Sequence, residues 1–118
     1  MNTQELQVHL CQFIGTEKLY RLTTRHLLTD GTMYLAEHAQ CYWLMTAVAS
    51  HLTSRIDDHF AVAKLNVMGK SAVLTLDDGN GHVFAKQSIE YTDFPLTEMK
   101  LYCCFDGEHW TIMLPREY

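Results

Sequence analysis

The stretch Met99-Lys100-Leu101-Tyr102-Cys103-Cys104-Phe105-Asp106-Gly107-Glu108-His109-Trp110-Thr111-Ile112-Met113-Leu114 decides the fold. Met99, Leu101, Cys103 and Phe105 recur every second residue, as do Trp110, Ile112 and Leu114. A period of two is the mark of a half-buried strand. Asp106-Gly107 between the two runs is a two-residue hairpin signal. Such a turn sets Cys103 against Trp110, Leu101 against Ile112 and Met99 against Leu114. Each pair is apolar, so turn chemistry and pattern agree on the register.

The same period runs upstream. Ala61, Ala63, Leu65 and Val67 share a face, as do Ala72, Leu74 and Leu76, and then Val83, Ala85 and Ile89. A turn over Asp78-Gly79-Asn80-Gly81 pairs Leu76 with Val83 and Leu74 with Ala85. Asp93-Phe94-Pro95 interrupts the sheet, because proline has no N–H for a ladder. The N-terminal half is helical. Asn2 and Glu5 resemble a capping pair, and Leu6, Leu10, Phe13 and Ile14 form one stripe that Gly15 ends. Leu19–Leu22 and His26–Leu28 are readable as short strands, Asp30-Gly31 as a turn and Thr32 as an N-cap. From Met33 to about Thr53 runs the strongest helical signal, with a break at Ala39-Gln40. Apolar residues nearly encircle Cys41–Ala49, and Tyr42-Trp43 read as core. The fold predicted is α+β, with N-terminal helices packed on one face of a four- or five-stranded antiparallel β-meander, all in a single globular domain over residues 1–118.

Composition bounds the function. The chain has 118 residues, 47% of them hydrophobic and 19% charged, enough to bury one core. It has 9 Lys and Arg against 14 Asp and Glu, a net charge of −5. An acidic chain is a poor phosphate-backbone binder, and its nearest basic cluster, Lys18, Arg21, Arg25 and His26, is a loose patch. No nucleic-acid partner is expected. Protonating the seven histidines reverses the net charge at about pH 5 to 6. No run is long and apolar enough to span a bilayer, so no membrane partner is expected. The opening residues lack the pattern of a signal peptide, which points to a cytoplasmic protein whose thiols stay reduced. Cys103 and Cys104 are neighbours in a strand and point to opposite faces, while Cys11 and Cys41 read as small core residues on helices.

The motifs that could carry chemistry are incomplete. His38-x-x-Cys41 has a metal-ligand spacing but lacks a second pair. Asp77-Asp78-Gly79-Asn80-Gly81 begins like a calcium loop, but Ser88 or Ile89 stands where the bidentate glutamate belongs. Ser50-His51 cannot form a nucleophile–base pair by itself. Two groupings remain as candidate catalytic sites. Asp93, Glu98 and Lys100 have the skeleton of a metal-dependent nuclease, and Asp57-Asp58-His59 could perform acid–base work. The bland alternative is that these residues solubilise a strand edge and a connection. No cofactor is implied.

Several segments are similar to a family of uncharacterised bacterial proteins of about this length, a domain of unknown function. They are Phe13-Ile14-Gly15-Thr16-Glu17, Leu28-Thr29-Asp30-Gly31 running into Tyr34-Leu35-Ala36-Glu37, and Tyr42-Trp43-Leu44 with Ala49-Ser50-His51. Leu76–Gly81, Tyr91–Leu96 and the close from Lys100-Leu101-Tyr102 to Leu114–Tyr118 complete the resemblance. It implies association with plasmids, phages and other mobile elements, and attaches no catalytic motif. The function expected is a small non-catalytic protein-binding module, an inhibitor of a host defence system of the anti-CRISPR kind, with a homodimer as a further possibility. Exposed aromatic, arginine and loop residues favour contacts. The expected partner-binding residues are Tyr20, Arg21, Arg25, Asp57, Asp58, Asp78 and Asn80.

Overall fold

In the computed structural model, which describes residues 3–55 and 57–118, three helices precede most of a seven-stranded mixed sheet. The order along the chain is α1 (Thr3–Leu10), β1 (Tyr20–Arg21), β2 (His26–Leu28), α2 (Asp30–His38) and α3 (Tyr42–Leu52). There follow β3 (Phe60–Met68), β4 (Ser71–Asp77), β5 (Val83–Ile89), β6 (Glu98–Phe105), β7 (Trp110–Met113) and a 3-10 turn over Pro115–Glu117. The expected cap at Asn2 lies outside the described residues.

The sheet order is β1-β2-β7-β6-β3-β4-β5. This corrects the four- or five-stranded antiparallel meander in two ways. First, β6 does not continue beside β5. The connection containing Asp93-Phe94-Pro95 carries the chain back across the sheet, and β6 pairs with the free side of β3. Second, the short segments Tyr20–Arg21 and His26–Leu28 join the sheet, and β2 runs parallel to β7. Segments of two and three residues carry too little periodicity for their place in a sheet to be read beforehand.

Both hairpin registers differ by two residues from the expected ones. Cys103 faces Ile112 and Phe105 faces Trp110. The reason is Asp106, whose Oδ1 accepts the N–H groups of Glu108 (2.8 Å) and His109 (2.7 Å). That widens the loop to Asp106–His109, with Gly107 at φ +101°, a conformation open to glycine. Leu76 faces Ala85 and Leu74 faces Gln87, with a bulge beside Asp77. A shift of two keeps every side chain on its own face, so the predicted faces survive the wrong partners.

The core joins helices and strands. Leu6, Leu35, Leu44, Met45, Val48 and Leu52 from the helices cluster with Ala63, Leu65, Leu74, Leu76, Leu101 and Ile112 from the sheet. Those strand residues are alternate positions on one face. The predicted break at Ala39-Gln40 is real, and Gln40 has φ +51°. Helix α2 begins earlier than expected. Thr29 is the N-cap in place of Thr32, which sits at the third helical position and completes a reciprocal cap with it. Helix α1 ends at Leu10, so Phe13 and Ile14 lie beyond it, and Ile14 is 74% exposed. Cys11 is exposed and not a core residue, while Cys41 is buried. Tyr42, expected in the core, is exposed and Trp43 only partly buried.

Candidate functional site

Where β6 leaves β7, the sheet opens. Pairing between the two stops at Tyr102 opposite Met113. One residue after Leu114 comes Pro115, which has no N–H to extend the ladder. The chain turns instead into the 3-10 segment, and Glu98–Leu101 have a strand beside them on the β3 side only. Helix α1 borders the gap. Thr3 Oγ1 donates to the Pro95 carbonyl (2.9 Å), and Arg116 Nη1 donates to the Cys11 carbonyl (3.3 Å).

The result is a groove of about 890 Å³ between α1, β6 and the C-terminal turn. Its walls are mainly apolar, from Leu10, Leu65, Leu96, Met99 and Leu114. Its charges are Lys64, Lys100 and Arg116, with Glu98 among them. Open clefts with apolar walls and a few polar groups are the usual places for ligands.

The register makes a pattern here that no linear spacing shows. Lys86 faces Thr75, Thr75 faces Lys64, and Lys64 faces Lys100. Three lysines therefore stand on one rung of the sheet, on the face away from the core, and all three are exposed. Facing residues in adjacent strands lie about 5 Å apart, and like charges in that position repel. Among the described residues neither Lys64 nor Lys100 has an ion-pair partner, while the Lys100 ammonium lies 5.8 Å from the Tyr102 ring. On the same face Phe60, Tyr102 and Tyr118 meet edge to face at 5.2 to 5.5 Å.

The residues expected to bind a partner fall elsewhere. Tyr20 and Arg21 lie on β1 at one edge of the sheet. Arg25 precedes β2, and its carbonyl accepts from Trp110 N (2.8 Å). Asp57 and Asp58 join α3 to β3, and Asp58 forms an ion pair with Arg55. Asp78 and Asn80 build the β4–β5 turn. Asp78 Oδ1 accepts from Asn80 N at 2.8 Å, and its carboxyl is held below the usual range by that N–H first and by His82 as well. A Cβ on Gly79 would meet the Phe60 ring at 2.9 Å, so this turn stands beside the start of β3. The connection holding Asp57 and Asp58 and the turn holding Asp78 and Asn80 thus lie at the same end of β3, while Tyr20 and Arg21 stand at the far edge of the sheet.

The candidate catalytic grouping of Asp93, Glu98 and Lys100 is not drawn together. Glu98 and Lys100 line the groove, whereas Asp93 lines a separate hollow with Trp43, Ala47 and Gln87. Among the described residues no three His, Cys, Asp or Glu side chains stand close enough to hold a metal ion. Nor is any helix among them long and apolar enough to cross a membrane. His38 of the His38-x-x-Cys41 spacing stacks on Tyr34 at 3.9 Å, and Cys41 is buried, its thiol pushed up to about 12 by desolvation.

A model of a family of unknown function, DUF6876, matches residues 4–118. No curated protein matches the sequence. Among solved structures, the fold is similar to a protein of unknown function from Enterococcus faecalis, with a TM-score of 0.57 and 12% identity. The alignment covers 83% of this chain and 93% of that one.

Proposed function

This chain belongs to DUF6876, a family of unknown function, and from that premise we propose that it is a small non-catalytic protein-binding module. The observation that carries the reading is the groove beside β6 with its row of lysines. It combines apolar walls, lysines without an ion-pair partner among the described residues and a strand edge that β7 leaves free. Several acids outside it are engaged in turns, caps and local ion pairs: Asp78 and Asp106 close loops, Asp58 pairs with Arg55, and Asp30 accepts from Glu17 N. With the helices backing one face of the sheet, the opposite face and the groove are left for a partner. The partner is a protein, and a bacterial defence effector is the class favoured by the resemblance to small mobile-element proteins. The thiols are free, which suits the cytoplasm.

The test is affinity capture from a bacterial lysate that contains CRISPR and restriction systems, followed by calorimetry with each purified capture. Saturable binding to one effector, weakened by substitutions on the lysine-bearing face, supports the module. Hydrolysis of a nucleotide or nucleic acid by the pure protein, with no partner bound, replaces it with an enzyme.

A further inference from the structure

We propose that the groove receives an extended acidic segment of the partner protein, which adds as a strand to the free edge of β6 at Glu98–Leu101. The inference rests on the protein-binding reading and gives its site and chemistry. Its basis is a coincidence of three features. The first is backbone: on the side away from β3, β6 pairs with β7 only from Tyr102 to Phe105, so the preceding residues offer an open edge. An open edge is what an extended peptide needs for main-chain hydrogen bonds, with alternate side chains reading the pockets beside it.

The second feature is charge. The chain is net acidic, yet Lys64, Lys100 and Arg116 line this one groove. Lys64 and Lys100 face each other across the ladder, an arrangement that costs the free protein stability. A carboxylate beside Lys100 on the added strand offsets that repulsion, and Arg116 can take a carboxylate through two parallel N–H donors. The third feature is the apolar wall of Leu10, Met99 and Leu114, which suits the aliphatic side chains of an alternating acidic–apolar strand. A nucleic acid is disfavoured on two counts. It has no amide groups to complete a strand edge, and the apolar walls give its phosphates nothing. The other edges lack this combination: β1 has two residues, and β5 carries Lys86 alone among the row's lysines.

The experiment uses the full chain and a fluorescein-labelled peptide of about six residues alternating Glu and Val, a typical strand length. Fluorescence polarisation should show binding that falls as salt is raised, because the pairs are near the surface. K100E should weaken it by about tenfold or more, since a close charge pair is lost, and K64Q, one strand further away, by a smaller factor. A central proline in the peptide should abolish it, and amide exchange within Glu98–Leu101 should slow in the complex. Equal binding of a Lys–Val peptide, tighter binding of a single-stranded oligonucleotide, or protection at β5 instead would overturn the proposal. So would a captured protein partner that binds K100E and wild type alike. That last result leaves the protein-binding module standing and removes only this site, whereas hydrolysis without any partner removes the module itself.

Discussion

His26 is 4% exposed, and its Nε2 and the Nε1 of its strand neighbour Trp110 are buried without a hydrogen-bond partner among the described residues. Its Nδ1 lies 2.6 Å from Thr23 Oγ1. Burial lowers its pKa below the usual histidine value, and Arg25 adds to the shift. The unfolded chain therefore takes up this proton first as pH falls. Stability is full above about pH 6.5, the ordinary histidine value, and declines from there toward the lower folded value. Asp30, Asp78 and Asp106 have lowered carboxyl pKa values, so their contributions are lost only in stronger acid. Urea midpoints between pH 7.5 and about pH 5 should fall for the wild type, and H26Q should lose His26's part of that fall. Identical slopes in the two proteins would contradict this account. The thiols give a second residue-level outcome. Cys41 and Cys103 are fully buried, and desolvation raises both pKa values. Iodoacetamide on the native protein should label exposed Cys11 and spare these two until the chain is unfolded. Alternation in the strand made the opposite environments of Cys103 and Cys104 readable. The exposure of Cys11 was not, because α1 ends at Leu10 and does not run on to Gly15.

At the scale of elements, the C-terminal turn and helix α2 hold each other. The Glu117 carboxylate accepts from Thr29 Oγ1 (2.6 Å), Gly31 N (3.0 Å) and Leu114 N (3.0 Å). It therefore serves two free N–H groups and stands as an anion at the N-terminus of a helix. E117A should cost about 2 kcal/mol in chemical denaturation, as a shared charge-assisted acceptor is removed. A Cβ on Gly31 would come within 2.5 Å of Glu117 Oε1 and 2.6 Å of Leu114 Cδ1, so G31A should displace the same carboxylate. The losses from E117A and G31A should then overlap, with the double variant well short of their sum. Simple additivity would show that the two residues act separately. Thr29 as a cap is the kind of feature a sequence carries, since threonine is a good N-cap. The glutamate that accepts from its hydroxyl lies 88 residues away, and no local pattern announces it.

Across the whole molecule, the facing pair Lys64–Lys100 sets stability against binding. Replacing one partner by an acid turns a repulsive cross-strand pair into an attractive one. K100E should raise the stability of the free protein by about 0.5 kcal/mol, within the usual range for such pairs, while removing the acidic-peptide binding proposed above. Thermal denaturation of K100E and K64E, each alone, tests the first half. A lower melting temperature in both would show that the lysines do not repel in the folded state.

What the sequence determined by itself is the local and periodic part of this protein. A period of two placed five strands and their buried faces, a broken helical run placed α2 and α3, and Asp106-Gly107 and Asp78–Gly81 placed the turns. These follow from forces acting between near neighbours, or from one face seeking an apolar side. Only the tertiary structure decided which strand lies beside which. Pairing is a long-range choice among edges that are chemically alike, and the step of β6 from β5 to β3 has no local signature. That step made the groove, and it gathered Lys64 and Lys100, 36 positions apart in the numbering, onto one rung with Lys86.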